Sequence, residues 1–318
     1  MTLVRPPAVA GTFYPTDPAT LLHDIQGFLD AVGRVETPPP KALIVPHAGY
    51  VYSGPVAASA YATLAPLKNT VERVVLLGPC HRVAVMGLAL SSAEHFATPL
   101  GEVPVDHGFD AALLALPQVQ VFDATHSAEH GLEVQLPFLQ AVLGGFKLLP
   151  LVVGDASPAQ VADVLETVWG GDETLIVISS DLSHFEDYAT AQRIDASTAE
   201  AIEALRPDDI APMQACGRTP IAGMLLTAKA RNMAVSRVGL CNSGDTAGSR
   251  DRVVGYGAWR FDDAAEPDDR ALLDRHGDEL HRVAGAAIRH GLEKGKPPAV
   301  DVGSFAPDLQ ANRATFVT

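Results

Sequence analysis

The chain is poor in positive charge, and this shortage argues against one large class of partners. Among its 318 residues are 23 Lys and Arg against 38 Asp and Glu, which gives a formal net charge of -15 at pH 7. Proteins that bind nucleic acid usually carry a basic face that neutralises phosphates. We therefore expect small-molecule or protein partners and no nucleic acid.

Cysteine and long apolar runs are also scarce. The three cysteines, at positions 80, 216 and 241, are an odd number and too few for a disulfide framework in a chain of this length. The N-terminal stretch has no apolar leader, and no run approaches the roughly 18 uninterrupted apolar residues of a membrane span. The sequence therefore predicts a cytoplasmic protein that does not enter a membrane.

Three well-known catalytic motifs are missing. The sequence contains no glycine-rich phosphate loop, no G-x-S-x-G nucleophile elbow and no H-E-x-x-H zinc motif. Their absence disfavours nucleotide-binding, serine-hydrolase and zincin functions.

What the chain does have is apolar sequence in the pattern of an α/β protein. Hydrophobic residues make up 47% of the chain. Apolar, β-branched runs at 42–46, 73–79, 148–154 and 174–180 are typical of strands covered on both faces. Helical patterns alternate with them at 17–29, 55–64, 127–142 and 158–168. We expect an α/β fold with a central mixed sheet flanked by helices, interrupted by a hairpin-like excursion at 91–106.

A change of composition near residue 262 predicts a domain boundary. Two closing strands end near Phe261, and the acidic stretch DDAAEPDDR follows them. We expect one domain at 1–262, then a linker and a second, incomplete unit at 263–318. The second unit begins with a helix that the sequence GKPP ends.

Two histidines follow apolar runs directly. His47 lies in VPHAGY and His81 in GPCH, each beside a glycine or proline that leaves room around the ring. Since ligands bind at the carboxyl ends of strands in open α/β sheets, both imidazoles are candidate metal ligands. Each histidine alone could equally cap a strand or donate to a backbone carbonyl.

Two further pairs combine a carboxylate with an imidazole. His130 and Glu133 are three positions apart in a segment that Ser127 is expected to cap, so they should share one helix face. They are candidate catalytic residues, or a solvated surface pair. Asp181 and His184 follow the most apolar strand, where ionisable groups must be paired or functional, and we expect a catalytic role for both.

Cys216 is the cysteine with the clearest chemical context. It precedes an apolar helix in QACGRTPIAGML, and we expect the helix N-terminus and Arg218 to lower its thiol pKa. The alternative is a small buried hydrophobic residue, which is the common fate of a free cysteine.

Taken together, these segments resemble a known family. In chain order they are RPPAVAGTFYP, PHAGYVYSG, LLGPCH, TPLG, EHGLEVQLPFL, SSDLSHF and CGRTPIAG. The same segments occur in the same order in the MEMO1 family, also called AmmeMemoRadiSam system protein B. The resemblance covers residues 5 to about 261, and the helix after the linker resembles the opening of an AMMECR1 domain.

The resemblance implies a fold and a metal site. The family is similar to the catalytic subunits of class III extradiol dioxygenases, which open catechol rings with non-haem Fe(II). It implies His47, His81 and Cys216 as metal ligands, and Asp181, His184, His130 and Glu133 as polar residues of the same pocket. Those dioxygenases use a carboxylate where this chain has a thiol. A thiolate suits Cu(I) better than a carboxylate does, so Fe(II) and Cu(I) are both candidate cofactors.

Two functions remain open at this point. The first is a non-haem iron oxidoreductase of dioxygenase type with an unknown small-molecule or peptide substrate. The second is a non-catalytic metal-handling or scaffold protein, with AMMECR1-like and radical-SAM partner proteins implied by the system name. Turnover of a substrate distinguishes the two functions.

Overall fold

A computed structural model describes residues 3–263 and 269–295 of the chain. The chain divides into two compact units, Met1–Ala264 and Ala265–Thr318. The expected linker residues 264–268 and the segment 296–318 lie outside the described residues.

The first unit is built around a large mixed sheet, which confirms the expected α/β fold class. Its strands in chain order, with those of a small second sheet, are β1 (Val4–Arg5), β2 (Ala42–Val45), β3 (Arg73–Pro79), β4 (Leu88–Leu90), β5 (His95–Thr98), β6 (Gly101–Pro104), β7 (Val119–Val121), β8 (Lys147–Val153), β9 (Thr174–Ser179), β10 (His184–Glu186), β11 (Ala234–Asn242) and β12 (Val253–Asp262). The strand order in the large sheet is β10-β12-β2-β9-β3-β8-β4-β7, and β11 pairs with β12. Strands β1, β5 and β6 form the small sheet, which contains the expected hairpin.

Four neighbouring strands of the large sheet run parallel. β2 pairs with β9, β9 with β3 and β3 with β8, all in the same direction. These are the four apolar runs from which strands were expected. Their carboxyl ends consequently meet along one edge of the sheet, while β12 and β4 pair antiparallel on either side of them.

Helices connect and cover the strands. They are α1 (Pro18–Val32), α2 (Tyr50–Tyr61), α3 (Asp110–Leu114), α4 (Asp123–Ser127), α5 (His130–Glu133), α6 (Leu136–Leu143), α7 (Pro158–Val168), α8 (Tyr188–Glu203), α9 (Arg218–Ala230) and, in the second unit, α10 (Asp269–Lys294). The caps follow the sequence signals, since Asp17 accepts from the Thr20 N–H and Ser157 forms a capping box with Gln160.

The segment expected as one helix at 127–142 is broken into short helices. Ser127 is the last residue of α4 and not an N-cap. Glu129 caps α5 instead, because its side chain accepts from the Gly131 N–H. Pro137 lies in the first turn of α6, where its missing N–H costs no helical hydrogen bond, so it starts a helix and does not kink one.

Both faces of the parallel strands are buried, as their unbroken apolar runs predict. Alternate residues enter two different hydrophobic clusters: Leu43 and Val45 pack into one, while Ala42 and Ile44 pack into the other. A sheet covered on both sides leaves its strand ends as the places where polar side chains gather.

The second unit contributes α10, which ends at Lys294 just before Gly295. Gly295 has a φ of 66°, the left-handed conformation typical of a glycine that terminates a helix. Within residues 3–263 and 269–295, no helix combines the length and the apolar character needed to cross a bilayer.

Candidate metal centre

The candidate site lies where three of the parallel strands end. His47 follows β2, His81 follows β3 and Asp181 follows β9, and β9 lies between the other two in the sheet. The loop before α9 brings Cys216 to the same place, since the Cys216 N–H donates to the Asp181 carbonyl at 3.2 Å. Residues far apart in the chain therefore meet at one edge of the sheet.

His47 is buried and held in one tautomer by its neighbours. Its Nδ1 lies 2.8 Å from Oγ of Ser179, and that hydroxyl also lies 2.5 Å from the Gly131 carbonyl and accepts from the Gln135 amide. Because a carbonyl oxygen can only accept, the Ser179 hydroxyl donates its hydrogen to the Gly131 carbonyl. Nδ1 of His47 must therefore be protonated and donate to the Ser179 hydroxyl oxygen. The Nε2 atom of His47 keeps its lone pair, and it lies 3.2 Å from Sγ of Cys216.

His81 is oriented by a carboxylate that the sequence did not mark as functional. Nδ1 of His81 lies 2.7 Å from Oε1 of Glu129, and the His81 backbone N–H donates to Oε2 at 2.7 Å. Although burial alone would raise the pKa of Glu129, these hydrogen bonds and the His81 charge outweigh it and lower the pKa to about 2. The ionised carboxylate therefore accepts a hydrogen bond from the Nδ1–H of His81, and Nε2 is the ring nitrogen that can offer a lone pair to a ligand.

His130 stands beside the other two imidazoles. Its ring stacks on His81 with centroids 4.5 Å apart, and it meets His47 edge-on at 5.4 Å. Burial lowers the pKa of His130 to about 4 and that of His47 to about 3. Both rings are consequently neutral at pH 7, as a metal ligand must be. Nδ1 of His130 is buried without a hydrogen-bond partner among the described residues.

Cys216 differs from the sequence expectation in its pKa. Burial, reinforced by the Asp181 carboxylate, raises the pKa of the Cys216 thiol to about 12. The expected lowering by Arg218 is wrong because the Arg218 Nε–H donates to the Ile210 carbonyl at 2.5 Å. The thiol therefore needs a bound cation before it ionises near neutral pH.

The loop of Asp181 and His184 borders the same site. The Asp181 carboxylate is buried and accepts from the His47 backbone N–H at 2.7 Å, while burial raises its pKa. His184 donates its Nδ1–H to the Leu182 carbonyl at 2.8 Å, because a carbonyl can only accept. That bond fixes the tautomer of His184 and leaves its Nε2 able to accept a proton.

Glu133 does not share the side of α5 that carries His130. Its carboxylate is fully buried against the N-terminal segment, where it pairs with the Arg5 guanidinium and accepts from Tyr14 Oη at 2.5 Å. It also accepts from the N–H groups of Ala8 and Val9. Among the described residues Glu133 is thus paired with Arg5 and Tyr14, and the alternative of a solvated surface pair with His130 is wrong because the carboxylate is buried. α5 is only four residues long, and its other face carries Glu133 into the protein.

The Arg5 side chain ties this buried cluster to the site. Besides Glu133, it donates to the carbonyl oxygens of His126 and Glu129. The segment that carries Glu129 and His130 is thus clamped by the first strand of the chain.

The donor set fits a metal ion. One donor atom each from His47, His81 and Cys216 lies within 4.8 Å of the other two. Two imidazoles with fixed tautomers and one thiol are ligands for iron, copper or zinc. The three ligands that the sequence resemblance implied are thus brought together by the fold.

A cavity of about 480 Å³ adjoins the site on the Cys216 side. Its lining combines the carboxylate of Asp155 and the thiol of Cys80 with apolar groups such as Met86, Val153 and Pro220. A space of this size and composition suits a small molecule.

The site contains residues that sequence reasoning missed. Glu129 and Ser179 fix the tautomers of His81 and His47, and Arg5 clamps the segment of Glu129. Glu129 immediately precedes His130, and its capping position before α5 is the one local signal that marks it. Nothing local distinguishes Ser179 or Arg5, whose partners lie 44 or more positions away in the chain.

The chain is similar to known proteins over most of its length. Residues 5–260 match the family described as Memo-like protein. The chain is similar to a MEMO1 family protein of Sulfolobus acidocaldarius, with 34% identity over 82% of this chain and 100% of the relative. It is also similar to MEMO1 family proteins of Ignicoccus hospitalis, at 35% over 81% and 99%, and of Aquifex aeolicus, at 36% over 80% and 97%. The Memo family is related to class III extradiol dioxygenases. The chain belongs to the Memo-like, or MEMO1, protein family.

Proposed function

We propose that the chain binds one redox-active metal ion through His47, His81 and Cys216 and acts as a dioxygenase-like oxidoreductase, with Fe(II) the first candidate and Cu(I) the second. The convergence of these three donors within 4.8 Å carries the proposal. Bound iron would supply redox chemistry at O2. Side chains of the protein would supply orientation and proton transfer.

In this proposal the chain supplies orientation and proton transfer. Glu129 and Ser179 hold the two ligand imidazoles in the tautomers that ligation needs. Asp181 fixes the backbone of His47. His184, whose Nδ1–H is taken by a carbonyl, offers Nε2 as the proton acceptor, with His130 as the second imidazole that faces the site.

The adjoining cavity favours a small organic substrate. Its volume lies within the range of about 300–1,000 Å³ that small-molecule sites occupy. Cys216 borders this cavity, so a substrate there would lie next to the proposed ion.

The thiol of Cys216 favours a second candidate function, in which the chain holds or transfers a metal without substrate turnover. A soft thiolate retains Cu(I) well, and a metal-handling role suits the AMMECR1-like and radical-SAM partners that we propose from the resemblance.

Oxygen consumption separates the two functions. The Fe(II)-loaded protein is mixed anaerobically with a panel of catechols, and O2 uptake is followed after aeration for wild type and for His184→Ala. We expect substrate-dependent uptake that falls about 100-fold or more in the variant, as for the loss of a general base. His23→Ala, which changes an exposed histidine on α1, is the matched control. Tight metal binding without uptake for any catechol would favour metal handling.

A further inference from the structure

A second set of metal donors overlaps the first and shares His81 with it. His81, Glu129 and His130 each offer one donor atom within 4.8 Å of the other two. The inner set is His47, His81 and Cys216, and the outer set is His81, Glu129 and His130. The outer set lies toward solvent, since His81 is exposed and His130 is partly exposed.

The outer donors are grouped around one oxygen atom. Oε1 of Glu129 lies 2.7 Å from Nδ1 of His81 and 3.4 Å from Nδ1 of His130. Adjacent ligands on an ion with bond lengths of about 2.1 Å are separated by about 3 Å, so both distances are close to those of a coordinated ion. The two rings are inclined by only 28°, and both Nδ1 atoms lie beside the same carboxylate oxygen, Oε1 of Glu129.

The unpartnered nitrogen of His130 points independently to a ligand. Nδ1 of His130 is buried and lacks a hydrogen-bond partner among the described residues, although it lies beside an ionised carboxylate. Buried polar atoms are rarely left unpaired. A cation between His130, Glu129 and His81 would satisfy this atom and take the place of the His81 Nδ1 proton.

We propose that His81, Glu129 and His130 form a second metal position, which takes a divalent cation that prefers oxygen and nitrogen ligands. Two imidazoles and one carboxylate are harder ligands than two imidazoles and a thiolate. The outer position therefore selects ions such as Mn(II), and the inner position selects softer ions such as Cu(I). This goes beyond the proposed function, which concerns the inner set.

The two positions exclude each other. A neutral imidazole has one lone pair, so His81 binds the inner ion through Nε2 or the outer ion through Nδ1, but not both. When the inner position is filled, Nδ1 of His81 carries the proton and donates to Glu129. This is the hydrogen bond that the structure has. The other tautomer serves the outer position. The class of metal thus determines whether Nε2 or Nδ1 of His81 is the ligand atom.

Titrations with two metals test the second position. Purified wild-type protein and the variants His130→Gln and Cys216→Ser are titrated anaerobically with Mn(II), with free Mn(II) measured by EPR, and separately with Cu(I) against a competing chelator. We expect His130→Gln to weaken Mn(II) binding at least tenfold and to change Cu(I) affinity less than threefold. We expect Cys216→Ser to weaken Cu(I) binding at least tenfold and to change Mn(II) affinity less than threefold. His23→Gln, on the exposed face of α1, is the control for both metals.

Each other outcome has a definite meaning. Absence of Mn(II) binding, or weakening by Cys216→Ser as large as by His130→Gln, would overturn the second position and leave the inner centre intact. Cu(I) binding that is indifferent to Cys216 would instead contradict the proposed function. Stoichiometric displacement of Mn(II) by Cu(I) is expected because His81 is shared, and simultaneous binding of both would overturn the exclusion. If His130→Gln fails to fold, His130→Asn and anomalous diffraction from Mn(II)-soaked wild-type crystals test the same position.

Discussion

Nε2 of His47 lies 3.2 Å from Sγ of Cys216, although the two residues are 169 positions apart in the chain. The contact exists because β2 and β9 are neighbours in the parallel sheet and the loop before α9 hydrogen-bonds to the end of β9. The Asp181 N–H also points at Sγ, at 3.3 Å. The fold thus places the Cys216 thiol next to the Nε2 atom of His47 and the backbone N–H of Asp181.

Glu129 should control metal affinity through His81. Glu129→Gln removes the charge that holds the Nδ1 proton of His81, so we expect Cu(I) and Fe(II) to bind about 10- to 100-fold more weakly. The measurement is a competitive metal titration under anaerobic conditions. Glu94→Gln changes an exposed carboxylate and should leave affinity unchanged. Equal affinities for the two variants would contradict the role of Glu129.

Glu133 should matter for stability. In Glu133→Gln the buried Arg5 guanidinium loses its counter-charge, and breaking a buried ion pair in this way costs about 3–5 kcal/mol. Urea denaturation measures the free energy of unfolding. The control is Glu166→Gln, which breaks the half-exposed Arg231–Glu166 pair and should cost less than about 1 kcal/mol. A cost as small as that of the control would show that the cluster does not stabilise the fold.

Gly217 leaves no room for a side chain beside the proposed metal centre. A Cβ at this position would lie 2.6 Å from Cβ of Ser180 and 2.8 Å from the Ser179 carbonyl oxygen. We expect Gly217→Ala to cost about 1–3 kcal/mol of unfolding free energy and to weaken metal binding by displacing Cys216. Gly27→Ala, in α1 with open space around it, should be neutral or stabilising. Unchanged metal affinity in Gly217→Ala would contradict the close fit of this loop.

The metal-free protein should lose stability as pH falls from 6.5. Burial lowers the pKa of His126 from 6.5 to about 4, so in this window the unfolded chain binds a proton that the folded protein does not. The free energy of unfolding then falls toward lower pH by up to about 1.4 kcal/mol per pH unit for this histidine. His47, with a pKa of about 3, adds to the slope in the same direction.

Urea denaturation between pH 7 and pH 5 checks this slope. His126→Gln removes one of the titrating groups, and the slope should become smaller by about the amount assigned to one histidine. An unchanged slope would mean that His126 titrates normally in the folded protein.

The sequence allowed the fold and part of the site to be predicted, for physical reasons. The four parallel strands were predictable because a strand buried on both faces needs an unbroken apolar run, as in 174–179. His47 and His81 could be identified because they follow such runs directly. Glu129 could not be, since its role depends on the position of α5 relative to the end of β3, and no local pattern encodes that distance.

Glu133 and Cys216 show where local reasoning fails. The spacing of Glu133 from His130 indicated a shared helix face, but a helix of four residues next to Arg5 turns the carboxylate inward. The pKa of Cys216 depends on burial, which outweighs the nearby helix N-terminus. Both errors come from tertiary contacts that dominate a local signal.

The most direct test of the metal centre is anaerobic loading of the protein with Fe(II) and, separately, with Cu(I), for wild type and Cys216→Ser. The measured quantities are stoichiometry, affinity and protons released. We predict one ion per chain, release of the Cys216 proton on binding, and marked weakening with no such release in the variant. Absence of specific binding, or binding indifferent to Cys216, would contradict a metal centre at His47, His81 and Cys216.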